Sequence, residues 1–355
     1  MKKSYLLLAS CTFLSANAFG ISSHVNPSLV TIPTFDSRYE ISASFLLLQP
    51  TSSSLDYGIH TQPLPAVTPK WLIQSINPDY TAAFDVGLGY VFPQSANDIQ
   101  LLWAHLSQSK SDGVIAPTND FIGPFYEIGP NAQNMQNLEG DSQFKYNLIN
   151  LDVGQFVNFG CRLRTRMFTG ISSVFINQHL NSSYSGVAAN PLFNLSTDNI
   201  SKYSGVGPRF GLLSTYQFTP RFGLVAQIAG SAYMGRLRST MEILGSSAVL
   251  TGLGIPLNSQ SIKTGSANRV VPGADGKLGL NYSFAFNHDS LLKVEAGYQF
   301  ATYFNAIKEV YPSTLAQLGP FITPIQAGSI YVGTMGQSQS NFGVGGPYLK
   351  ASFSF

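Results

Sequence analysis

Polar and apolar residues alternate along ten segments of the chain, and this alternation predicts β-strands. Successive side chains of a strand point to opposite faces, so a period of two marks a strand with one apolar and one polar face. Each segment has the length that a tilted strand needs to cross a bilayer, about 9–11 residues or slightly more. The segments are 38–48, 80–92, 98–107, 144–158, 162–177, 203–218, 222–235, 270–286, 291–304 and 342–355.

The connections between these segments alternate in length. The intervals 93–97, 159–161, 219–221 and 287–290 are short, whereas 49–79, 108–143, 178–202, 236–269 and 305–341 are long. Outer-membrane barrels have short periplasmic turns and long extracellular loops. We therefore predict an all-β fold: one transmembrane antiparallel outer-membrane β-barrel over residues 38–355, preceded by a periplasmic segment at 19–37. About ten strands are expected, and a pair of short strands within 49–79 or 305–341 would make twelve.

The last predicted strand places apolar side chains at 349, 351, 353 and 355. Such a strand leaves an aggregation-prone edge unless it closes a sheet, and pairing it with the first strand removes both edges. Its aromatic residues are similar to the terminal signal that the barrel-assembly machinery reads, which makes that machinery a predicted partner. The signal residues are Tyr348, Phe353 and Phe355. On this segment alone, an edge strand of a soluble sheet remains an alternative.

The first residues predict a secretory signal peptide over 1–18. Lys2 and Lys3 precede an apolar stretch, and Ala16 and Ala18 supply the small residues of a cleavage site. The alternative is a lipoprotein signal at 8–11 that would place a lipid on Cys11, but its apolar core is shorter than usual. Cleavage after Ala18 leaves Cys161 without a cysteine to pair with, so no internal disulfide framework is expected.

Charge and composition narrow the class of protein. The sequence has 20 Lys and Arg against 18 Asp and Glu, and losing Lys2 and Lys3 leaves 18 against 18, so nucleic acid is not an expected partner. Charged residues make up 11% of the chain, about half the share of an average globular domain. No apolar stretch is continuous enough for a membrane helix. The barrel remains the membrane fold that satisfies every backbone group, with outer-membrane lipid as its surroundings.

Strand parity predicts which charged side chains face the lumen. Seven cations and four acids share the inward parity: Arg162, Arg164, Arg166, Arg209, Lys277, Lys293 and Lys350, against Glu40, Asp85, Asp152 and Glu295. Charges of one sign in a pore set its ion preference, so this excess predicts a mildly anion-favouring channel for small ions and solutes. The alternative is that the charges pair into a network that plugs a narrow lumen.

One motif resembles a known family. The run 203–211, with Gly205, Gly207, Pro208, Arg209 and Gly211, is similar to the pore-forming major outer membrane protein family of Legionella and related bacteria. Weaker similarity reaches 150–154, 230–236, 270–280, 295–299 and 303–306, whereas the long loops carry no matching motif. The resemblance implies a porin-like barrel that allows passive diffusion. From the residues alone, three glycines around one inward Arg leave room for a neighbouring bulky group or permit a sharp bend, and ordinary strand curvature is the alternative.

Two other functional classes are open. His105 and His179 lie near the outer ends of the third and fifth predicted strands, with Ser107, Asp112 and Asp141 on the same outer side of the chain, and a base beside a carboxylate can activate water or a serine. No nucleophile motif accompanies them, so we predict that the protein is not an enzyme.

A structural or adhesin barrel with a plugged lumen is the main alternative to a porin. Loops of about thirty residues are often functional and can contact a host surface. The scattered histidines and a lone mature cysteine predict no metal site and no cofactor. The sequence leaves open whether the barrel forms a homo-oligomer.

Overall fold

The computed structural model describes residues 30–61, 70–117, 120–124, 135–187, 193–247, 258–286, 290–317 and 330–355. The predicted signal peptide and Cys11 lie outside these residues. The described part contains fifteen strands: β1 Val30–Thr31, β2 Arg38–Ser52, β3 Asp56–Thr61, β4 Trp71–Ser75, β5 Thr81–Val91, β6 Asn97–Ile115, β7 Phe121–Gly123, β8 Met135–Phe159, β9 Leu163–Val187, β10 Phe193–Gln217, β11 Phe222–Ser247, β12 Asn258–Lys263, β13 Ala267–Ala285, β14 Leu291–Gln317 and β15 Ile330–Ser354. Among these residues there is no helix of the length and hydropathy that a membrane span requires.

Ten long strands pair in a closed antiparallel ring in the order β2, β5, β6, β8, β9, β10, β11, β13, β14 and β15. The ring closes where β15 pairs with β2, with Phe353 opposite Ile41. Tyr39 and Phe355 extend this pairing by two backbone hydrogen bonds of 2.9 and 3.0 Å. Both edges of the sheet are therefore satisfied, as the prediction for the last strand requires.

The remaining strands are short and attach to the ends of the ring. At the outer end, β4, β3 and β7 form a row that joins β8, and β12 pairs with β11. At the end of the short turns, β1 pairs with the last residues of β8. Phe35, which follows β1, packs edge-on against the ring of Phe156 at 5.4 Å between centroids. The segment before the first long strand therefore lies against the turn end.

All ten predicted segments form strands, but most strands extend further at the outer end than the sequence pattern indicates. Strand β8 begins at Met135 instead of 144, β9 ends at Val187 instead of 177, and β11 ends at Ser247 instead of 235. The segments predicted as long loops therefore contain the outer parts of these strands. Their short connections at the other end agree with the predicted turns within a few residues.

The polarity of the two strand faces reverses along the length of the long strands, between their turn ends and their outer ends. This reversal explains why the sequence pattern did not predict the outer parts. In the outer part of β8, Leu138 is buried and its neighbour Glu139 is exposed. Nearer the turns, Asp152 is buried and its neighbour Val153 is exposed. A search for one constant apolar face ends where this reversal occurs. The change lies near one register row of outward side chains, Lys145, Asn177, Lys202 and Arg238.

This row divides the ring into two halves. The belt half runs from the short turns to the row and carries exposed apolar side chains such as Ile228 and Phe210. The outer half extends beyond the row and has its apolar side chains inside. Its buried members include Leu106, Leu138 and Ile243, which belong to one hydrophobic cluster. The hydrophobic core therefore lies inside the ring, from the level of the row outward.

Candidate functional site

A layer of aromatic side chains crosses the interior of the ring at the border between the two halves. This aromatic layer consists of Phe144, Tyr146, Tyr233, Tyr303 and Phe342, each at most 3% exposed. The hydroxyl oxygens of Tyr146 on β8 and Tyr303 on β14 lie 2.6 Å apart. These two strands are five places apart in either direction around the ring, so the hydrogen bond spans its full width.

The other members fill the space beside this bond. The ring centroids of Phe144 and Phe342 lie 5.9 Å apart, and those of Tyr233 and Tyr303 lie 5.7 Å apart. The Tyr233 hydroxyl also lies 2.9 Å from Ser172 Oγ on β9. Strands from both sides of the ring therefore meet through side chains at this level.

Below the aromatic layer, towards the short turns, Arg209 holds two acids from different strands. Its Nη1 lies 2.5 Å from Asp152 Oδ2 on β8, and its Nη2 lies 2.8 Å from Asp275 Oδ2 on β13. The guanidinium also lies 4.8 Å above the ring centroid of Phe168. Arg209 is 4% exposed, so the charge is satisfied by protein groups instead of solvent.

Arg166 forms a second buried ion pair close by. Its Nε lies 2.8 Å from both carboxylate oxygens of Asp98, and neither residue is more than 3% exposed. Its guanidinium lies 5.1 Å from the ring centroid of Phe168, the same ring that Arg209 contacts. Gly154 makes room for this pair, because a Cβ there would lie 2.5 Å from Arg166 Nε.

A third cluster surrounds Glu295. Lys277 Nζ lies 2.9 Å and Lys293 Nζ lies 3.6 Å from its carboxylate oxygens, and the Tyr348 hydroxyl donates to Oε1 at 2.7 Å. Lys350 lies directly opposite Glu295 on the neighbouring strand. Together with the ion pairs of Arg166 and Arg209, this cluster forms what we name the charge network.

A small cavity separates the charge network from the aromatic layer. Its volume is about 150 Å³, and its lining includes Asp85, Asn150, Arg209, Lys350 and Tyr146. Ordinary ligand pockets measure about 300–1,000 Å³, so this space is well below the size of a metabolite site. Charged side chains from the network and apolar side chains such as Leu148 and Val344 share its walls, so its charged side suits water or a small ion.

The structure places most of the predicted lumen residues inside the ring, but it separates the predicted ladder of arginines. Arg166 is buried in the charge network, whereas Arg162 is exposed in a turn. Arg164 lies at the turn end, where its Nε donates to Asn158 Oδ1 at 3.1 Å and its guanidinium lies 5.3 Å above the ring of Phe35. Ser44 Oγ on β2 donates to Asp85 on β5 at 2.7 Å, and Glu40, also on β2, lies opposite Ser354 on β15.

Sequence reasoning missed Asp98, Asp275 and the aromatic layer. Asp275 shares the parity of Lys277, so the same rule that placed Lys277 inside could have found it. Asp98 lies beside a short turn, where parity is hard to assign. The tyrosines gave no usable signal, because an aromatic residue suits the lipid face and the core of a barrel equally.

The family motif surrounds Arg209 with small positions. Gly211 lies against Phe168, and a Cβ there would come within 2.5 Å of the phenyl ring that supports both buried arginines. Gly205 lies under the ring of Tyr203, whose hydroxyl donates to the carbonyl oxygen of Tyr233 at 2.9 Å. The backbone of Gly207 passes close to that of Ala232, whereas Pro208 is exposed on the opposite face. Gly205 and Gly211 therefore leave space for aromatic side chains, and Gly207 allows two strand backbones to approach closely.

The predicted assembly residues occupy two faces. Phe353 and Phe355 are exposed and stack on each other with centroids 5.8 Å apart. Tyr348 is buried and donates to Glu295 within the charge network. Exposed Cys161 lies in the turn between β8 and β9.

The three histidines within the described residues form separate polar pairs. His105 Nδ1 lies 2.8 Å from Asn147 Oδ1, His179 pairs with Asp198, and His60 Nε2 lies 2.8 Å from Asp120 Oδ2. Among the described residues, no three His, Cys, Asp or Glu side chains come together as a metal site would require.

Comparisons with known proteins place the chain in a family. The family described as Legionella pneumophila major outer membrane protein precursor matches residues 31–355. A comparison with curated proteins gives no match. Among solved structures, the outer membrane protease OmpT of Escherichia coli is similar with 10% identity and a TM-score of 0.42, over 92% of this chain and 99% of that one. A Pseudomonas aeruginosa FadL homologue is similar with 7% identity and a TM-score of 0.23, over 90% of both chains.

The family match confirms the predicted resemblance and the outer-membrane location. It covers nearly the whole chain, including all ten strands of the ring and the Arg209 motif. The protein belongs to the Legionella major outer membrane protein family.

Proposed function

We propose that the protein is a structural barrel of the outer membrane whose lumen is closed by the aromatic layer and the charge network. The observation that carries this proposal is the hydrogen bond between Tyr146 and Tyr303, which joins opposite sides of the ring. A side-chain contact across the full width leaves little room for a diffusing solute at that level. The outer half then serves as a rigid support that presents the outer loops above the membrane.

The charges of the interior support the same proposal. The sequence predicts seven inward cations against four acids, but two of the cations, Arg162 and Arg164, lie at the turn end. Asp98 and Asp275 join the acids, which leaves five of these cations and six acids inside the belt half, and four of each form ion pairs among the described residues. A nearly neutral set in which most charges are paired favours a structural network over an anion-selective lining.

A porin-like channel is the second candidate, and the small cavity below the aromatic layer, which charged side chains help to line, favours it. In that case the layer acts as a gate, and conduction requires Tyr146 and Tyr303 to separate. Passive diffusion of small ions then follows the charged walls around Lys350 and Asp85.

Planar-bilayer recordings distinguish a closed barrel from an open pore. We expect folded wild-type protein to show no steady conductance and the Tyr146→Ala/Tyr303→Ala variant to conduct, because the substitutions remove the contact across the ring. The matched control is Tyr39→Ala, which removes an exposed ring from the outer surface. Steady conductance of the wild type at the level of the double variant would favour the porin instead.

We further propose that the protein is not an enzyme. The pairs His179–Asp198 and His60–Asp120 are the residues to test, because a His beside a carboxylate is the arrangement of a general base. Fluorogenic peptide and phospholipid substrates should remain intact with folded protein. Hydrolysis that disappears in His60→Ala or His179→Ala would contradict the proposal.

A further inference from the structure

A groove lies on the outward surface of strands β8 to β11, at the border between the belt half and the outer half. Its volume is about 860 Å³. Its outer side carries four exposed cations, which are Lys145, Lys202, Arg236 and Arg238. Its inner side is formed by Phe175, Val206 and Met234, which belong to the exposed apolar surface of the belt half.

The strand register brings the four cations close together. Lys202 lies directly opposite Arg238, and Ser204 lies directly opposite Arg236 on the next outward row. Lys145 and Lys202 both lie opposite Asn177, one on each side of it. Like charges that face each other across two strands are destabilising. Within the described residues none of the four cations forms an ion pair, so an external anion would relieve this repulsion.

The nearest acids along the same strands are too far away to compensate. Asp198 and Glu242 lie four residues from Lys202 and Arg238 respectively, which is about 13 Å at the rise of a strand. Asp198 is moreover already paired with His179. The cationic row therefore stands between an acidic row on its outer side and apolar side chains on its inner side.

Small outward side chains form the floor of the groove. Ser204 lies between Phe175 and Arg236 in one register row, and Ser173 lies beside Val206 in the next row towards the membrane. The bulkier Phe175 and Met234 form its walls. The resulting depression runs from the cations into the apolar belt, along the direction that an acyl chain takes in the outer leaflet.

We propose that this groove binds one acylated lipid of the outer leaflet through its phosphate groups. The phosphates contact Lys202, Arg236 and Arg238, and an acyl chain packs on Phe175 and Met234. Arginine suits this role because its planar guanidinium can donate two hydrogen bonds to one phosphate. A water-soluble anion would gain no favourable contact with the apolar wall. A zwitterionic lipid would leave the opposed cations without a net negative charge to balance them. The proposal rests on the outer-membrane location and is independent of whether the lumen conducts.

Binding of a defined lipid tests the proposal. The folded full-length protein is embedded in phosphatidylcholine nanodiscs and titrated with bisphosphorylated lipid A, and retained lipid is counted by native mass spectrometry. We expect one retained lipid per chain in the wild type and an affinity at least tenfold lower for Lys202→Ala/Arg238→Ala. The matched control is Lys70→Ala/Arg162→Ala, which removes the same charge from exposed positions away from the groove and should bind as the wild type does.

Two further binding measurements use the wild-type protein and vary the ligand instead. Dephosphorylated lipid A should bind at least tenfold more weakly than the bisphosphorylated form, and inorganic phosphate alone should not displace bound lipid at equal concentration. Heat-dependent gel mobility reports whether each variant has folded, and Lys202→Gln replaces the double variant if that one does not fold. Equal binding of the phosphorylated and dephosphorylated lipids, equal binding by wild type and groove variant, or displacement by inorganic phosphate would overturn the proposal.

Discussion

Ile228 and Leu244 lie on the same strand and both point away from the ring, but their surroundings are opposite. Ile228 is 65% exposed in the belt half, where its outward neighbours are apolar and the charge network lies inside the ring. Leu244 is 44% exposed in the outer half, next to outward Glu242 and the buried Ile243. The belt half satisfies its polar groups inside and turns its apolar groups to lipid. The outer half buries its apolar groups as a soluble protein does.

This difference shows that one strand can face water along one part and lipid along the other with no break in its pairing where the polarity reverses. The pairing of β10 with β11 is continuous from Phe193 to Val206, through the row where the polarity reverses, and it resumes in the same register from Arg209 to Gln217. Stability therefore has two sources, which are hydrogen-bonded charges in the belt half and hydrophobic burial in the outer half. Each source can be removed separately by substitution.

The largest expected effect comes from the charge network of the belt half. Arg209→Ala leaves the buried Asp152 and the partly buried Asp275 without their cation, and breaking a buried pair in this way costs about 3–5 kcal/mol. Urea unfolding in detergent micelles should show this loss in the free energy of unfolding. The matched control, Arg162→Ala in the exposed turn, should change it by about 0.5 kcal/mol or less. A similar loss in both variants would show that the buried pairs do not stabilise the belt half.

The next effect tests the outward surfaces of the two halves. Ile228→Arg places a charge on the lipid face and should cost about 2–4 kcal/mol near the middle of the bilayer. Leu244→Arg places the same charge on the face of the outer half and should cost close to nothing. The yield of folded protein in lipid vesicles, measured by heat-dependent gel mobility, compares the two. Equal yields would remove the distinction between the halves.

The smallest effect concerns Tyr57, which β3 contributes to the interior of the outer half. Burial, together with the charge of Asp112, raises the pKa of Tyr57 to about 12. The unfolded chain ionises near its ordinary value of about 10, so this stabilising contribution is present below that pH and is lost as pH rises through the pKa of the folded state.

Urea midpoints between pH 8 and 12 should therefore fall more steeply for the wild type than for Tyr57→Phe. Tyr39→Phe, at an exposed position, should follow the wild type. Parallel curves for wild type and Tyr57→Phe would mean that Tyr57 is not buried in its neutral form.

The sequence predicts the belt half well and the outer half poorly. Constant alternation, as in 222–235 and 291–304, identifies strands because one face stays apolar over the whole crossing. Beyond the reversal the apolar parity changes, and the outer parts of β8 to β11 resemble polar loops. Parity also placed Arg209 and Glu295 inside, but it cannot tell which inward charges pair. The pairs of Arg166 with Asp98 and of Arg209 with Asp275 depend on contacts between strands far apart in the sequence.

The most direct test of the two halves is the environment of outward positions along β11. Nitroxide labels are placed one at a time at Ile228→Cys, Met234→Cys, Thr240→Cys and Leu244→Cys, in protein without other cysteines and reconstituted in lipid vesicles. Collisions with oxygen report lipid, and collisions with a water-soluble nickel chelate report solvent. We predict oxygen contact at 228 and 234 and nickel contact at 240 and 244. Lipid contact at 244, or solvent contact at 228, would contradict the reversal of polarity on which the account depends.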